Sequence, residues 1–350
     1  MTAPTGPLPK VVLAVGGPDG MPFREAQRRY AGKGLPGNSG IGATLLAWLR
    51  EHGHPFAVTI FGAAGRLEPE AVRRVFARSG GSVLVNLICE PHLQLALSQV
   101  ARFELETELP QVNPSWAVGA TTRPLIARRL AHQAGVHAPR CTLYRAGALT
   151  LSEHIELHAH RYPVLLRPPG KHGSVGLVRV DDPGEISHHP SMLRGCTVTD
   201  FVDFRSGDGL WRKYRMIYAG DRLFRRHVLT DREWNLTRAA RGFMGDHPQL
   251  AADEQEWINR PVTLEAGSVE ARVMHQFRAL QLDFGAIDFA LPPGGDLVVF
   301  EINACVQLTN RLDAQAAGDR RYFEANNDEI LGALLQAIYS RAVPGRPPAS

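Results

Sequence analysis

The chain has 350 residues, 44% hydrophobic and 21% charged, the balance of a globular protein. Its 34 glycines and 25 prolines fall short of a low-complexity composition. No apolar run, Ile41–Leu49 included, approaches the ~20 residues that span a bilayer, so neither disorder nor a membrane span is expected. Lys plus Arg number 39 against 35 Asp plus Glu, a net charge of +4. That is too small an excess to call for nucleic acid, but it suits an anionic ligand held in one cleft. The length predicts two or three domains. The opening MTAPTGPLPK lacks the apolar core of a signal peptide. Cys89, Cys141, Cys196 and Cys305 share no metal-type spacing and read as reduced thiols of a cytoplasmic protein. The Asn235-Leu236-Thr237 sequon then carries no glycan.

The first 115 residues alternate strand and helix. Lys10–Val15 reads as strand, Ile41–His52 as helix and Phe56–Phe61 as strand. Glu68–Arg78 follows as helix, Ser82–Ile88 as strand and His92–Glu104 as an amphipathic helix opened by Pro91. Such alternation predicts a parallel sheet covered by helices. Asn113-Pro114 marks a turn, after which Thr121-Thr122 caps a helix over Arg123–Ala134 that stops at Gly135. Ala138–Tyr144 reads as strand, Leu151–His160 as helix, and Tyr162–Arg167 and Leu177–Val180 as strands. Beyond Cys196, Thr197–Phe204, Leu210–Tyr218 and Arg222–Leu229 read as antiparallel strands, the last two joined at Ala219-Gly220-Asp221. Thr230–Arg260 has no clear period and predicts a long loop with at most a short helix. Ser268–Leu280 reads as helix, Phe284–Leu291 and Asp296–Ile302 as a hairpin, and Asp328–Arg341 as a closing helix.

Three segments carry chemistry. Asp288 lies on one strand of that hairpin, and Glu301 and Asn303 share a face of the other. Two carboxylates and an amide oxygen flanked by Val298, Val299, Phe300 and Ile302 form a hard-oxygen set suited to Mg²⁺. The competing reading is a hairpin end whose acids face solvent. The second segment follows the strand that ends at Arg167. Gly170, Lys171, His172, Gly173, Ser174 and Gly176 read as a glycine-rich phosphate cover without Walker A spacing, or as an ordinary charged turn. Third, Lys213 and Arg215 share a strand face, either meeting anionic groups or lying solvated beside acids such as Asp208.

Other patterns read as decoys. Gly32-Lys33-Gly34-Leu35-Pro36-Gly37 spells G-x-G-x-x-G, but no strand directly precedes it and Pro36 interrupts it. It reads as a flexible loop. His154, His158 and His160 read as an exposed polar helix face in preference to a zinc site, and Cys305 has no visible base partner.

The order of the three segments resembles the ATP-grasp superfamily, with the nearest likeness to its glutathione-synthetase/RimK-like branch. Trp211–Phe224 followed by Asp283–Asn303 resembles the ATP-grasp domain found fused to tetratricopeptide repeats. Leu84-Val85-Asn86, Val112-Asn113-Pro114 and Thr121-Thr122-Arg123 look like the lobe that precedes ATP-grasp and its exit. The resemblance implies an α/β and α+β architecture. A Rossmann-like lobe would span 1–115, a small α+β subdomain 116–195, and a large antiparallel-sheet subdomain 196–345. ATP would lie between the two subdomains. Arg167 and the loop Gly170–Gly176 would hold the phosphates, and Thr199, Asp200, Phe201 and Val202 would form the hinge that reads adenine. Asp203 or Asp208 would take the ribose hydroxyls. Arg215, helped by Lys213, would serve the transferred phosphate. Asp288, Glu301 and Asn303 would hold one or two Mg²⁺ ions, replaceable by Mn²⁺.

The implied reaction joins a small-molecule carboxylate to an amine, or to a short peptide, through an acyl phosphate, releasing ADP and phosphate. Thiol ligation, phosphotransfer and a regulatory nucleotide-binding module are the alternatives. Neither nucleic acid nor membrane is implied as a partner, and a homodimer is compatible. One departure stands out. Ala304-Cys305-Val306-Gln307-Leu308-Thr309-Asn310 replaces the Ser/Thr-x-Pro-Gly-like segment that shapes the acceptor site in many relatives, so the acceptor stays open.

Overall fold

The computed structural model describes residues 10–16, 41–62, 82–88, 91–169, 174–304, 306, 308 and 326–342. Val11–Val15 is fully buried, as an apolar strand covered on both faces must be. This strand, β1 (Lys10–Gly16), pairs in parallel with β2 (Phe56–Phe61) and β3 (Ser82–Asn86), and β3 pairs in parallel with β4 (Gln111–Val112). Helices α1 (Gly42–Glu51) and α2 (Gln94–Thr107) belong to this lobe. Pro91 does not open α2. It lies in the turn before Leu93, the residue that caps the helix. The helix expected over Glu68–Arg78 and the loop Gly32–Gly37 lie outside the described residues.

Two short helices follow, α3 (Ser115–Gly119) and α4 (Arg123–Leu130). Thr122 occupies the cap of α4 with extended backbone but makes no side-chain cap bond. β5 (Val136–His137) then leaves for the edge of a distant sheet. A second sheet takes β6 (Cys141–Arg145), β7 (Val164–Arg167), β8 (Val178–Val180) and β9 (Gly195–Asp200), all antiparallel, in the order β6-β9-β7-β8. Thus the run beginning near Thr197 pairs inside this smaller sheet and not with the strands that follow it. Helix α5 (Leu151–Leu157) starts at a capping box made by Thr150 and Glu153. One face of the sheet buries Tyr144, Val164, Leu166 and Val198 against Leu151 and Ile155 of α5.

The third sheet has the order β11-β10-β12-β13-β5, with β10 (Trp211–Ala219), β11 (Arg222–Asp231), β12 (Phe284–Ala290) and β13 (Leu297–Asn303). β10 and β11 join through Gly220-Asp221, both at positive φ, the geometry a two-residue hairpin turn requires. The segment expected to be a long loop instead holds α6 (Ala240–Gly245) and α7 (Pro248–Asn259). The inner face of α7 carries Glu254, which is 1% exposed, accepts from the Val228 amide at 2.9 Å and pairs with Arg241. A charge at an anchoring position breaks the apolar period that would reveal the helix. Helix α8 (Val269–Leu280) is capped by the Ser268 hydroxyl, which accepts from the Ala271 amide at 3.0 Å. Helix α9 (Asn327–Ala342) packs against β10 on one side and β3 and β4 on the other. No helix among the described residues is long and apolar enough to cross a membrane.

Asn113 fastens the first lobe to the third sheet. Its backbone is left-handed at φ 56°. Its amide oxygen accepts from the amides of Asp283 (2.8 Å) and Phe284 (3.0 Å), and its Nδ2 donates to Phe284 O (2.7 Å) and Ala304 O (2.5 Å). The side chain is 2% exposed. Asn113→Ala strands several buried backbone groups, so it is expected to cost about 2–4 kcal/mol. A thermal melt checks this, and an unchanged Tm would refute the fastening role.

Candidate active site

The register of the third sheet lines up His227, Arg215, Asp288 and Glu301 on four neighbouring strands. Two register shifts flank this row, one between Arg215 and Met216 and one between Asp288 and Phe289. Such bulges re-aim side chains and concentrate beside active sites. β12 and β13 also approach closely here. A Cβ on Gly285 would meet Asn303 O at 2.6 Å, so the position admits only glycine.

Opposite charges tie the row together. Arg215 grips Asp288 with a bidentate pair, Nε–Oδ1 2.5 Å and Nη2–Oδ2 2.7 Å. Lys213 Nζ donates to Leu236 O at 2.9 Å and stands 3.9 Å from Asp288 Oδ2. Asn303 Nδ2 donates to Glu301 Oε1 at 3.1 Å. Arg123, the first residue of α4, pairs with Glu301 from across the cleft. Burial alone would raise the Glu301 carboxyl. The guanidinium of Arg123, followed by Arg215, Arg167 and Lys213, holds it well below the usual carboxylate range instead. Burial pulls Lys213 down, partly offset by Asp288, and takes Arg167 down to about 10, with Arg123 adding to the effect.

Next to this charged row lies an apolar cavity between the second and third sheets. Cys141, Leu165 and Thr199 line it from the small sheet, Phe201 and Val202 from the connecting segment, and Phe204, Trp234, Val299 and Phe300 from the other side. Arg123, Arg167 and Trp234 line both this cavity and the charged space that contains Lys213, Arg215, Asp288 and Glu301. One cleft therefore has an aromatic end and a charged end, the division a nucleotide requires between its base and its phosphates.

No protein-family model matches the sequence, and no curated protein matches it significantly. Solved structures do match. D-alanine–D-alanine ligase from Bacillus anthracis aligns over 94% of this chain and 98% of its own, with a TM-score of 0.52 at 11% identity. A RimK-domain ATP-grasp protein from Sphaerobacter thermophilus aligns over 94% and 99%, with a TM-score of 0.51 at 14% identity. The chain has the ATP-grasp fold. L-amino acid ligase from Bacillus licheniformis, at TM-score 0.50 and 12% identity, shares it over 96% of this chain and 75% of its own. At these identities the likeness lies in topology.

Within this ATP-grasp frame the sequence-derived residues divide. Arg167, Lys213, Arg215, Asp288 and Glu301 meet in the charged space, joined by Ser174, with Asn303 bonded to Glu301. Gly176 has φ 70°, and a Cβ there would meet Pro168 at 2.9 Å, which accounts for the glycine. Gly170, Lys171, His172 and Gly173 lie outside the described residues, as does Cys305. Asp203 and Asp208 are half-exposed and engaged locally, by Arg205 and by the fork of Arg212. Neither is among the residues that line the two cavities. Lys213 and Arg215 thus meet Asp288, whereas Asp208 is taken by Arg212 on the opposite strand face.

The exposed helix face expected of His154, His158 and His160 holds for His158 alone. His154 and His160 are 7% exposed, not a solvated face. Thr142 Oγ1 bridges their Nε2 atoms at 2.9 and 2.7 Å, and His160 Nδ1 lies 2.5 Å from Asp200 Oδ1. This network engages Asp200, which also lines the aromatic cavity. No group of three His, Cys, Asp or Glu side chains suited to a metal occurs among the described residues.

Sequence reasoning missed Arg123 and Trp234 as site residues. One signal was available for Arg123. The N-terminal turn of a helix favours anions, and α4 opens with a cation and has no acid in its first turn. Burial also pushes the Cys141 thiol, which lines the aromatic cavity, up to about 11, and Cys196 to about 12. At pH 8 only ~10⁻³ of Cys141 is thiolate, the reactive form. Both are expected to resist iodoacetamide in the folded chain and to react once unfolded, as peptide mass spectrometry would show.

Proposed function

We propose that this protein is an ATP-dependent ligase that joins a carboxylate to an amine. The carrying observation is the cationic row Arg123, Arg167, Lys213 and Arg215 facing Asp288 and Glu301 beside an aromatic cavity. The three ATP-grasp structures named above include two ligases, which supports the reading by analogy of fold.

The hinge Thr199–Val202 and the rings of Phe204, Trp234 and Phe300 would take adenine, leaving the triphosphate among the cations. The loop Gly170–Gly176 would cover it. A carboxylate oxygen of the substrate attacks the γ-phosphorus and the bond to the β–γ bridging oxygen breaks. ADP leaves and an acyl phosphate remains. The amine nitrogen then attacks the acyl carbon, the carbon–oxygen bond to phosphate breaks, the departing phosphate takes the proton lost from nitrogen, and the amide forms. No covalent protein group is needed. Arg215, Lys213 and Arg167 orient the phosphoryl group and offset its charge.

The oxygen donors Asp288, Glu301 and Asn303 fit Mg²⁺, which prefers carboxylate and carbonyl oxygen. Bound there, the ion would neutralise charge on the phosphate oxygens. The test is an ADP-release screen over amino acids, dipeptides and small acids. ADP formation that requires both a carboxylate and an amine supports the ligase. Release with a thiol, or without any acceptor, would replace it with another ATP-grasp chemistry.

A further inference from the structure

Both acids of the proposed metal set are held by arginine. Asp288 and Glu301 sit directly opposite each other on adjacent strands. Two such carboxylates in a half-enclosed space repel, and staying ionised together requires cations. Arg215 serves Asp288 through two parallel bonds. Arg123 serves Glu301.

The two arginines are differently mounted. Arg215 is on the strand next to Asp288, fixed by the ladder. Arg123 stands 178 positions from Glu301 in the chain, in the first turn of α4, a helix that packs on β13 without joining its hydrogen-bonded ladder. Its pair with Glu301 can be released without disturbing any strand. The pair is also shielded, with side chains 23% and 18% exposed, so bulk salt screens it weakly. A divalent cation arriving alone must displace a charge-assisted hydrogen bond to reach Glu301. Arg123 also borders both ends of the cleft, within reach of an anion seated there.

We infer that Arg123 closes the metal site of the nucleotide-free chain, so that a divalent cation alone is refused and enters only with a polyphosphate anion that takes Arg123 off Glu301. This rests on the reading of Asp288, Glu301 and Asn303 as metal ligands. Metal and anion then bind with positive coupling, each relieving a cost the other would meet. Arg123 acts here as a positioning residue, exchanging one partner for another.

The test uses the full chain and two probes. The first is Mn²⁺ without nucleotide, followed through the EPR signal of the free ion. Wild type is expected to bind weakly and Arg123→Gln ~10-fold or more tightly, because no charge-assisted hydrogen bond then has to be displaced from Glu301. Arg123→Lys, which keeps the charge and loses the fork, falls between. Arg129→Gln removes a charge from the same helix, where Arg129 bonds Ala279 O, and leaves the affinity unchanged. The second probe is metal-free ATP in EDTA, followed by tryptophan fluorescence, since Trp234 lines the cleft. Arg123→Gln should bind it more weakly. Opposite signs for the two ligands are not produced by a merely structural loss.

Equal Mn²⁺ affinity in wild type and Arg123→Gln overturns the inference. It leaves the metal reading standing if Glu301→Gln weakens the binding. Tight binding by Arg123→Gln that persists after Glu301→Gln is added places the ion elsewhere and overturns both. Unchanged affinity for metal-free ATP reduces Arg123 to a plug and overturns the exchange.

Discussion

Glu301→Gln is expected to abolish turnover, lowering ADP formation ~10³-fold or more, while the chain stays folded. The substitution keeps the shape of the side chain and removes the charge on which the proposed metal-binding role of Glu301 rests. The loss corresponds to about 4 kcal/mol, within what a metal acting on phosphate oxygens supplies. Nothing in the packing opposes it. Glu301 contacts Arg123 and Asn303 through its polar end, and its neighbour Ile302, 1% exposed, holds β13 in the core. Asn303→Ala should behave similarly, because among the described contacts the Asn303 side chain bonds only Glu301. Near-wild-type ADP formation by either variant at saturating Mg²⁺ would remove these residues from the metal set. A folded circular dichroism spectrum separates lost chemistry from lost structure.

How far these residues could be read in the sequence depended on the distance over which each acts. The hairpin of β12 and β13 is written locally, as two near-continuous apolar runs on either side of Pro292-Pro293-Gly294-Gly295, so the pairing of Asp288 with Glu301 was foreseeable. The turn at Gly220-Asp221 was equally local, because positive φ at both positions selects those residue types. The helix α7 was hidden because its anchor is a buried Glu254–Arg241 pair, which looks like surface charge in a sequence. The sheet that takes β9 was not legible either. Strands of either sheet alternate in the same way, and only tertiary pairing assigns Gly195–Asp200 to β6 and β7. Arg123 reaches the cleft from the first turn of a helix and Trp234 from the loop that follows β11. Their roles exist only once the lobes meet. His154 and His160 misled because a buried histidine with a satisfied ring and an exposed one look alike in sequence.

Arg215→Lys is expected to lower kcat much more than it weakens ATP binding, by ~10²-fold against a few-fold, the size of one lost charge-stabilising donor. Arg215 uses its planar fork on Asp288, and against the lowering effect of burial that carboxylate raises its pKa. A lysine retains the charge but cannot bridge two oxygens, whether of a carboxylate or of a phosphoryl group in transit. Binding is shared with Arg167, Lys213 and Arg123, so the ground state tolerates the change, whereas a charge that develops only in the transition state does not. Equal losses in kcat and in ATP affinity would return Arg215 to a binding role. The same placement argues for the point of cleavage. Lys213, Arg215, Asp288 and Glu301 line the charged space but not the aromatic cavity, with Arg123 and Arg167 bordering both, so the terminal phosphate of a bound nucleotide would lie among them. Attack at the γ-phosphorus gives ADP and phosphate, whereas attack at the α-phosphorus gives AMP and pyrophosphate. ³¹P NMR of a productive mixture reads the difference directly. ADP and phosphate in equal amounts, matched to amide formed, are the expected result, and stoichiometric AMP and pyrophosphate would rule out the acyl phosphate route even with the ATP-grasp fold unchanged.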